Sequence, residues 1–207
     1  MAQTRLRLSG EAPDPAPGSV LLSMGFRPFF LAAAGFGALI VPLWVLALRG
    51  GLPLGGGGLV GAQWHVHELT IGYGGAVLAG FLLTAVRMWS GGRETVSGLP
   101  LLALVALWGL GRLLHLPGVP GGAASAAPDL AFLLGLTVAI GRPLIAGRSR
   151  RNYGFLVALP ALGGASLVLH AWPAHAAIAQ RLLVDLPIVA IAVVGARITP
   201  LFTRNAT

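Results

Sequence analysis

The chain has no cysteine and no lysine, and only 10% of its 207 residues are charged. Without cysteine it forms no disulfide, no thiolate-held iron–sulfur cluster, no CxxCH haem attachment and no cysteine-type zinc site. Any metal or haem has to be held by histidine, methionine, a carboxylate or tyrosine. Among these, only the five histidines are numerous and well placed. The scarcity of charge excludes as much. Soluble domains carry roughly 25% charged residues, whereas this chain is 56% hydrophobic with a mean hydropathy of +0.82. Such a composition belongs in lipid. Soluble-enzyme signatures are absent too: no GxGxxG after a strand, no Walker loop and no Gly-x-Ser-x-Gly elbow. His65-x-His67-Glu68 is not the HExxH of zinc proteases, so hydrolase chemistry has no support.

The formal charge of +8 comes from fourteen arginines. They lie between apolar runs, with no aromatic interleaving and no continuous basic helix. Membrane topology therefore accounts for them better than nucleic-acid binding, and no nucleic-acid partner is expected.

Residues 1–23 are polar and carry Pro13, Pro15 and Pro17, which reads as a flexible cytoplasmic tail. The first apolar run begins too deep and is too long for a signal peptide. The rest, 24–207, reads as an all-α, polytopic membrane bundle. A bilayer core needs about 20 apolar residues in a helix. Six segments qualify: Phe26–Leu48, Ala62–Val86, Leu99–Leu116, Ala127–Ile145, Tyr153–Trp172 and Ile178–Thr199. Gly55 to Gly58, Gly91-Gly92 and Pro117-Gly118 punctuate the connections. With the N-terminus inside, eleven arginines fall on the inner side and only Arg49, Arg112 and Arg181 on the outer. The expected topology is N-in and C-in, with lipid as the surrounding partner.

That topology places all five histidines at one membrane face: His65 and His67 opening the second span, His115 closing the third, and His170 and His175 around the loop after the fifth. Glu68, Arg112, Asp129, Arg181 and Asp185 lie at the same level. Ionisable groups at the edge of a hydrocarbon layer usually face a bundle interior or a wet cavity, and histidine is the commonest metal ligand. Residues three apart share a helix face while residues two apart diverge. His65 and Glu68 are therefore expected to point together and His67 elsewhere, with Glu68 or Asp185 orienting a ligand. His170, inside an apolar stretch, is the better second ligand. His115 and His175, in short loops, read as decoration. Trp64 at a helix end reads as an interfacial anchor, and Arg27, Arg142 and Arg148 to Arg151 as positive-inside anchors. Arg112 suits either a carboxylate of a bound group or an ion pair with Asp129 or Asp185. Gly72, Gly74, Gly75 and Gly80 suit close helix packing, though they also leave room for a flat macrocycle.

Four blocks occur in order: Phe26-Arg27-Pro28-Phe29-Phe30, Trp64-His65-Val66-His67-Glu68, Ala79-Gly80-Phe81-Leu82-Leu83-Thr84-Ala85 and Gly195-Ala196-Arg197-Ile198-Thr199-Pro200-Leu201-Phe202-Thr203. So spaced, with Trp108-Gly109-Leu110-Gly111-Arg112 and Arg151-Asn152-Tyr153 between, they resemble the NnrS family of bacterial haem- and copper-containing membrane proteins. The WHxHE and GxRxxPxFT blocks are the specific ones. Arg87-Met88-Trp89-Ser90-Gly91 departs from the family pattern, keeping its tryptophan and glycine but not its proline and asparagine. The extent of the resemblance corresponds to the N-terminal half of a typical member. It implies haem, with copper as a second candidate, and a role in nitric oxide metabolism, denitrification or nitrosative stress. It further implies ligation of nitric oxide or another diatomic, His65 and His67 as ligands, and a second NnrS-like half or a homo-oligomer as partner. The competing reading is a half-size transporter or channel subunit that dimerises without a cofactor, with Asp185 and Arg181 lining its pore. A pore would need polar residues along its whole depth, whereas here they gather at one level.

Overall fold

In a hydrocarbon layer every backbone N–H and C=O must be satisfied within its own segment, so apolar runs of this length fold as helices. The computed structural model describes residues 20–206, and the tail expected over 1–23 falls largely outside them. Helix α1 spans Phe26–Leu48. A two-residue hairpin follows, with β1 at Gly55–Gly56 antiparallel to β2 at Leu59–Val60. The second span runs from Ala62 to Trp89 in three parts: α2 (Ala62–His67), a π-helical segment (Glu68–Gly74) and α3 (Gly75–Trp89). Then come α4 (Gly98–Leu114), α5 (Ala127–Ala146), α6 (Gly154–Ala171) and α7 (Ala176–Ala206).

The result is an all-α, multi-pass membrane bundle. Five of its helical stretches are long and apolar enough to cross a bilayer. The third expected span is the exception, because α4 has only 17 residues. At 1.5 Å per residue it rises about 26 Å against a hydrocarbon core of about 30 Å. It ends at His115, ahead of Pro117-Gly118, and its last turn carries Arg112. A helix that brings a buried arginine to the bundle end has no need to reach the far interface there.

Helix α5 forms the middle of the bundle. Phe132, Leu133, Leu136, Ile140 and Leu144 on it are fully buried, against α4, α3 and α6. Burial is uneven elsewhere: 56% of the window within Ala62–Trp89 is buried, but 17% of that in α1 and 11% of that in the last span. The outer helices thus contribute one face each to the core and turn the remainder outward. At one end, α2, the C-terminus of α4, the start of α5 and the C-terminus of α6 converge beneath the β1–β2 hairpin. The buried charged groups Glu68, Arg112 and Asp129 meet there.

Candidate metal centre

His67 closes α2 and Glu68 opens the π-helical segment. Neighbours on an α-helix diverge, yet His67 Nδ1 lies 2.9 Å from Glu68 Oε1. The helix is wound more loosely here, a local distortion concentrated at functional sites. Side chains bond carbonyls along this stretch: Thr70 Oγ1 donates to Val66 O at 2.7 Å, and the Trp108 indole donates to Gly72 O at 2.8 Å. Glu68 and His65, expected to point together, have different partners: Glu68 turns to His67 and Arg112. His65 stacks on Trp44 of α1, with ring centroids 4.3 Å apart. Its Nδ1 is buried without a hydrogen-bond partner.

Arg112, on the last turn of α4, joins two carboxylates. It donates to Glu68 Oε1 at 2.5 Å and to Asp129 Oδ1 on the first turn of α5. Asp129 and Glu68 are nearly inaccessible and Arg112 is 6% exposed. A charged trio in such a place holds only because its members compensate one another. Two glycines make the approach possible. A β-carbon on Gly72 would lie 2.8 Å from the Arg112 guanidinium, and one on Gly111 would collide with the Asp129 carboxylate. Of the alternatives the sequence left for Arg112, the ion pair with Asp129 is the one formed, and both terminal guanidinium nitrogens are thereby engaged.

Three imidazoles sit directly against this trio. His67, His115 and His170 have ring centroids 4.4 to 5.1 Å apart. One nitrogen from each can be chosen so that all three lie within 4.8 Å of one another, a grouping able to hold a metal ion. Their hydrogen bonds fix the tautomers. His115 Nδ1 is 2.7 Å from Gly111 O, and His170 Nδ1 is 2.7 Å from Ser166 O. A carbonyl only accepts, so both Nδ1 atoms carry hydrogen and both Nε2 atoms of the neutral rings carry lone pairs. Yet those Nε2 atoms face each other at 2.9 Å. His67 Nδ1 faces the acceptor-only Glu68 carboxylate and so carries hydrogen, while its Nε2 lies 3.0 Å from Ser166 Oγ. Asp129 Oδ2 lies 3.2 Å from that Nε2, and it is buried with no hydrogen bond. Lone pairs thus converge on one small volume. With neutral rings, Glu68, Asp129 and Arg112 leave it one net negative charge, which a bound metal ion or an added proton on the rings would balance.

The donor set suits a metal. Around a tetrahedral ion with metal–nitrogen distances of about 2.1 Å, ligand atoms stand about 3.4 Å apart, within the range these atoms span. The rings are too close together to admit a macrocycle between them.

The structure therefore places the sequence candidates in two groups. His67, Glu68, Arg112 and His170 come together, while His65 lies apart under Trp44. His175 is exposed. His115, expected to be decoration, is 1% exposed and central, and Ser166 and Asp129 complete the cluster. Trp64, expected at the membrane interface, is 1% exposed and donates its indole N–H to His115 O at 2.7 Å. The hairpin is more than punctuation. A β-carbon on Gly57 would lie 2.5 Å from the His115 ring, so the Gly55 to Gly58 run closes over that imidazole. The signal available in the sequence was the gathering of every histidine at one level.

A multi-pass helix bundle with a sealed histidine–carboxylate cluster at one end is the class of protein that this fold and site define. The family model described as NnrS protein matches residues 20–207, and the chain belongs to the NnrS family. Among curated proteins and among solved structures, no match was found.

Proposed function

We propose that this chain is a copper-binding protein of the bacterial inner membrane that serves nitric oxide metabolism or relief of nitrosative stress. In this reading His67, His115 and His170 hold the ion, with Asp129 Oδ2 beside them. The observation that carries it is the pair of Nε2 atoms facing each other at 2.9 Å while each ring's N–H is committed to a carbonyl. A bound copper ion would supply a coordination position for a diatomic such as nitric oxide, or a station for an electron. The protein's own residues do the rest. Glu68 accepts the His67 Nδ1–H and sets that ring's orientation, as carboxylates behind metal-bound imidazoles do. Arg112 offsets Glu68 and Asp129, so that a singly charged ion leaves the site neutral. The hairpin and Trp64 exclude water.

Haem, which the family resemblance also implies, has no room among the three rings, and Arg112 is already committed to two carboxylates. His65 is the imidazole left for it, and no step is derived through that group. The arginine distribution supports N-in and C-in topology, which puts the centre toward the outer face. The transporter reading is not favoured: the buried polar groups gather at one end of the bundle, whereas Asp185 and Arg181, expected at that level and as pore lining, lie further along α7 on its outward side.

Metal analysis of the detergent-purified protein, reconstituted with copper(I), tests the proposal. Stoichiometric copper is expected in the wild type and in His175→Ala, with loss in His115→Ala and His170→Ala. Full copper in the double variant His115→Ala/His170→Ala would overturn it. Because all ligands must be deprotonated, the affinity should fall as the pH is lowered, and a pH-independent affinity would contradict an all-imidazole site. An optical spectrum of His65→Ala reports on haem independently.

A further inference from the structure

The last helix carries charge on the wrong side. Ala176, Ala179 and Leu183 of α7 are buried, and Leu186, Ala190 and Val194 pack on the same core. These residues define the face that α7 turns to the bundle. Ile178, Arg181, Asp185, Ile188 and Ala192 recur in steps of three and four and form the opposite stripe. All five are exposed, Ile178 and Ile188 by 61% and 56%. Asp185 falls at the middle of the span Pro173–Ala196, where lipid would be its only neighbour. An ionisable side chain at that depth is costly and is almost always turned to a protein partner. Among the described residues, neither Arg181 nor Asp185 has an ion-pair partner.

We propose that this stripe is the seam of a symmetric dimer, covered by α7 of a second copy of the chain. The spacing is that of alternating a and d positions of a heptad. In a parallel pair, the residue at an a position is flanked by the preceding d residue of the facing helix. Each Asp185 then stands beside its counterpart and next to Arg181 of the other copy, so the two acids and two arginines form one neutral cluster across the axis. Arg181 and Asp185, one turn apart on this face, form no ion pair within one copy and can neutralise each other across such an axis. Ala192 keeps the helices close further along. The metal centre lies at the bundle end, away from this seam, so the two proposals stand or fall separately.

The absence of native cysteine makes the test direct, since any introduced cysteine is unique. In lipid nanodiscs or native membranes, Ile188→Cys should give an oxidant-induced disulfide-linked dimer, and Leu39→Cys on the exposed side of α1 should not. Asp185→Arg should lower the dimer fraction at least about tenfold through like-charge contact, and Arg181→Asp/Asp185→Arg should restore it. Asp185→Leu, which needs no charge placed in lipid, covers the case of a variant that fails to fold. It should weaken the dimer while leaving bound copper unchanged. A monomeric wild type, equal cross-linking at both cysteines, or cross-linking of Ile188→Cys to a different protein would each overturn the proposal.

Discussion

Asp129 and Asp185 are both aspartates within apolar helices, each with an arginine close by in the fold or the chain, and their surroundings could hardly differ more. Asp129 is fully buried at the head of α5, bonded to Arg112, which also holds Glu68. Asp185 stands on the outer side of α7 with Arg181 one turn away and, among the described residues, no ion pair. The first carboxylate is built into the protein, with its second oxygen turned to the His67 ring. The second is left for something outside this copy of the chain. A charge inside an apolar helix marks a site in both cases, and what decides the kind of site is whether the compensating charge lies within the same bundle.

The comparison breaks most severely at Arg112. Replacing it with Leu leaves Glu68 and Asp129 buried side by side without a cation, and removing one partner from a buried ion pair costs about 3–5 kcal/mol. A large drop in thermal stability in detergent is expected. Arg112→Lys should recover only part of it, because one ammonium does not reproduce the two-pronged arrangement. An unchanged melting temperature would mean that the trio is not the anchor described here. The next effect belongs to Gly57→Ala. Gly57 has φ +65, a conformation that costs other residues about 1–2 kcal/mol, and the added methyl would lie against the His115 ring. Bound copper should fall together with stability, and retained copper would show that the hairpin does not hold His115 in place.

Much of this architecture was legible beforehand. Hydropathy located every helix because lipid leaves the backbone no alternative, and α1 begins and ends at the residues expected. The metal centre was only half legible. His67, His170, Glu68 and Arg112 stood out as ionisable groups near apolar runs, but helical periodicity paired Glu68 with His65. No local pattern announces that Arg112, 44 residues further on, draws Glu68 into the cluster beside His67, so that pairing could not be read. His115 looked like loop decoration because its burial depends on a hairpin built from glycines. Those residues have no side chain to declare a packing role, and their importance lies in the space they leave. Asp185 was visible as a charge in a span, but its outward direction requires knowing which face of α7 the bundle occupies.

Substituting Asp185 with Leu should have a smaller effect than either change at the centre. Within one copy it removes no contact, so the melting temperature in detergent should hold or rise, and copper content should stay the same. A loss of copper would join the two regions that the comparison separates. The smallest effect is expected at Arg87 and Glu94, an ion pair of 3.3 Å whose side chains are 49% and 74% exposed. Both charges keep their water, and holding two flexible side chains together offsets most of the attraction. Such exposed pairs contribute roughly 0–1 kcal/mol. Glu94→Ala should therefore shift stability by less than about 0.5 kcal/mol, and less still at high salt. If it destabilised the protein as much as Arg112→Leu, burial would not be what separates a structural charge from an incidental one in this bundle. The contrast between Asp129 and Asp185 would then need another cause.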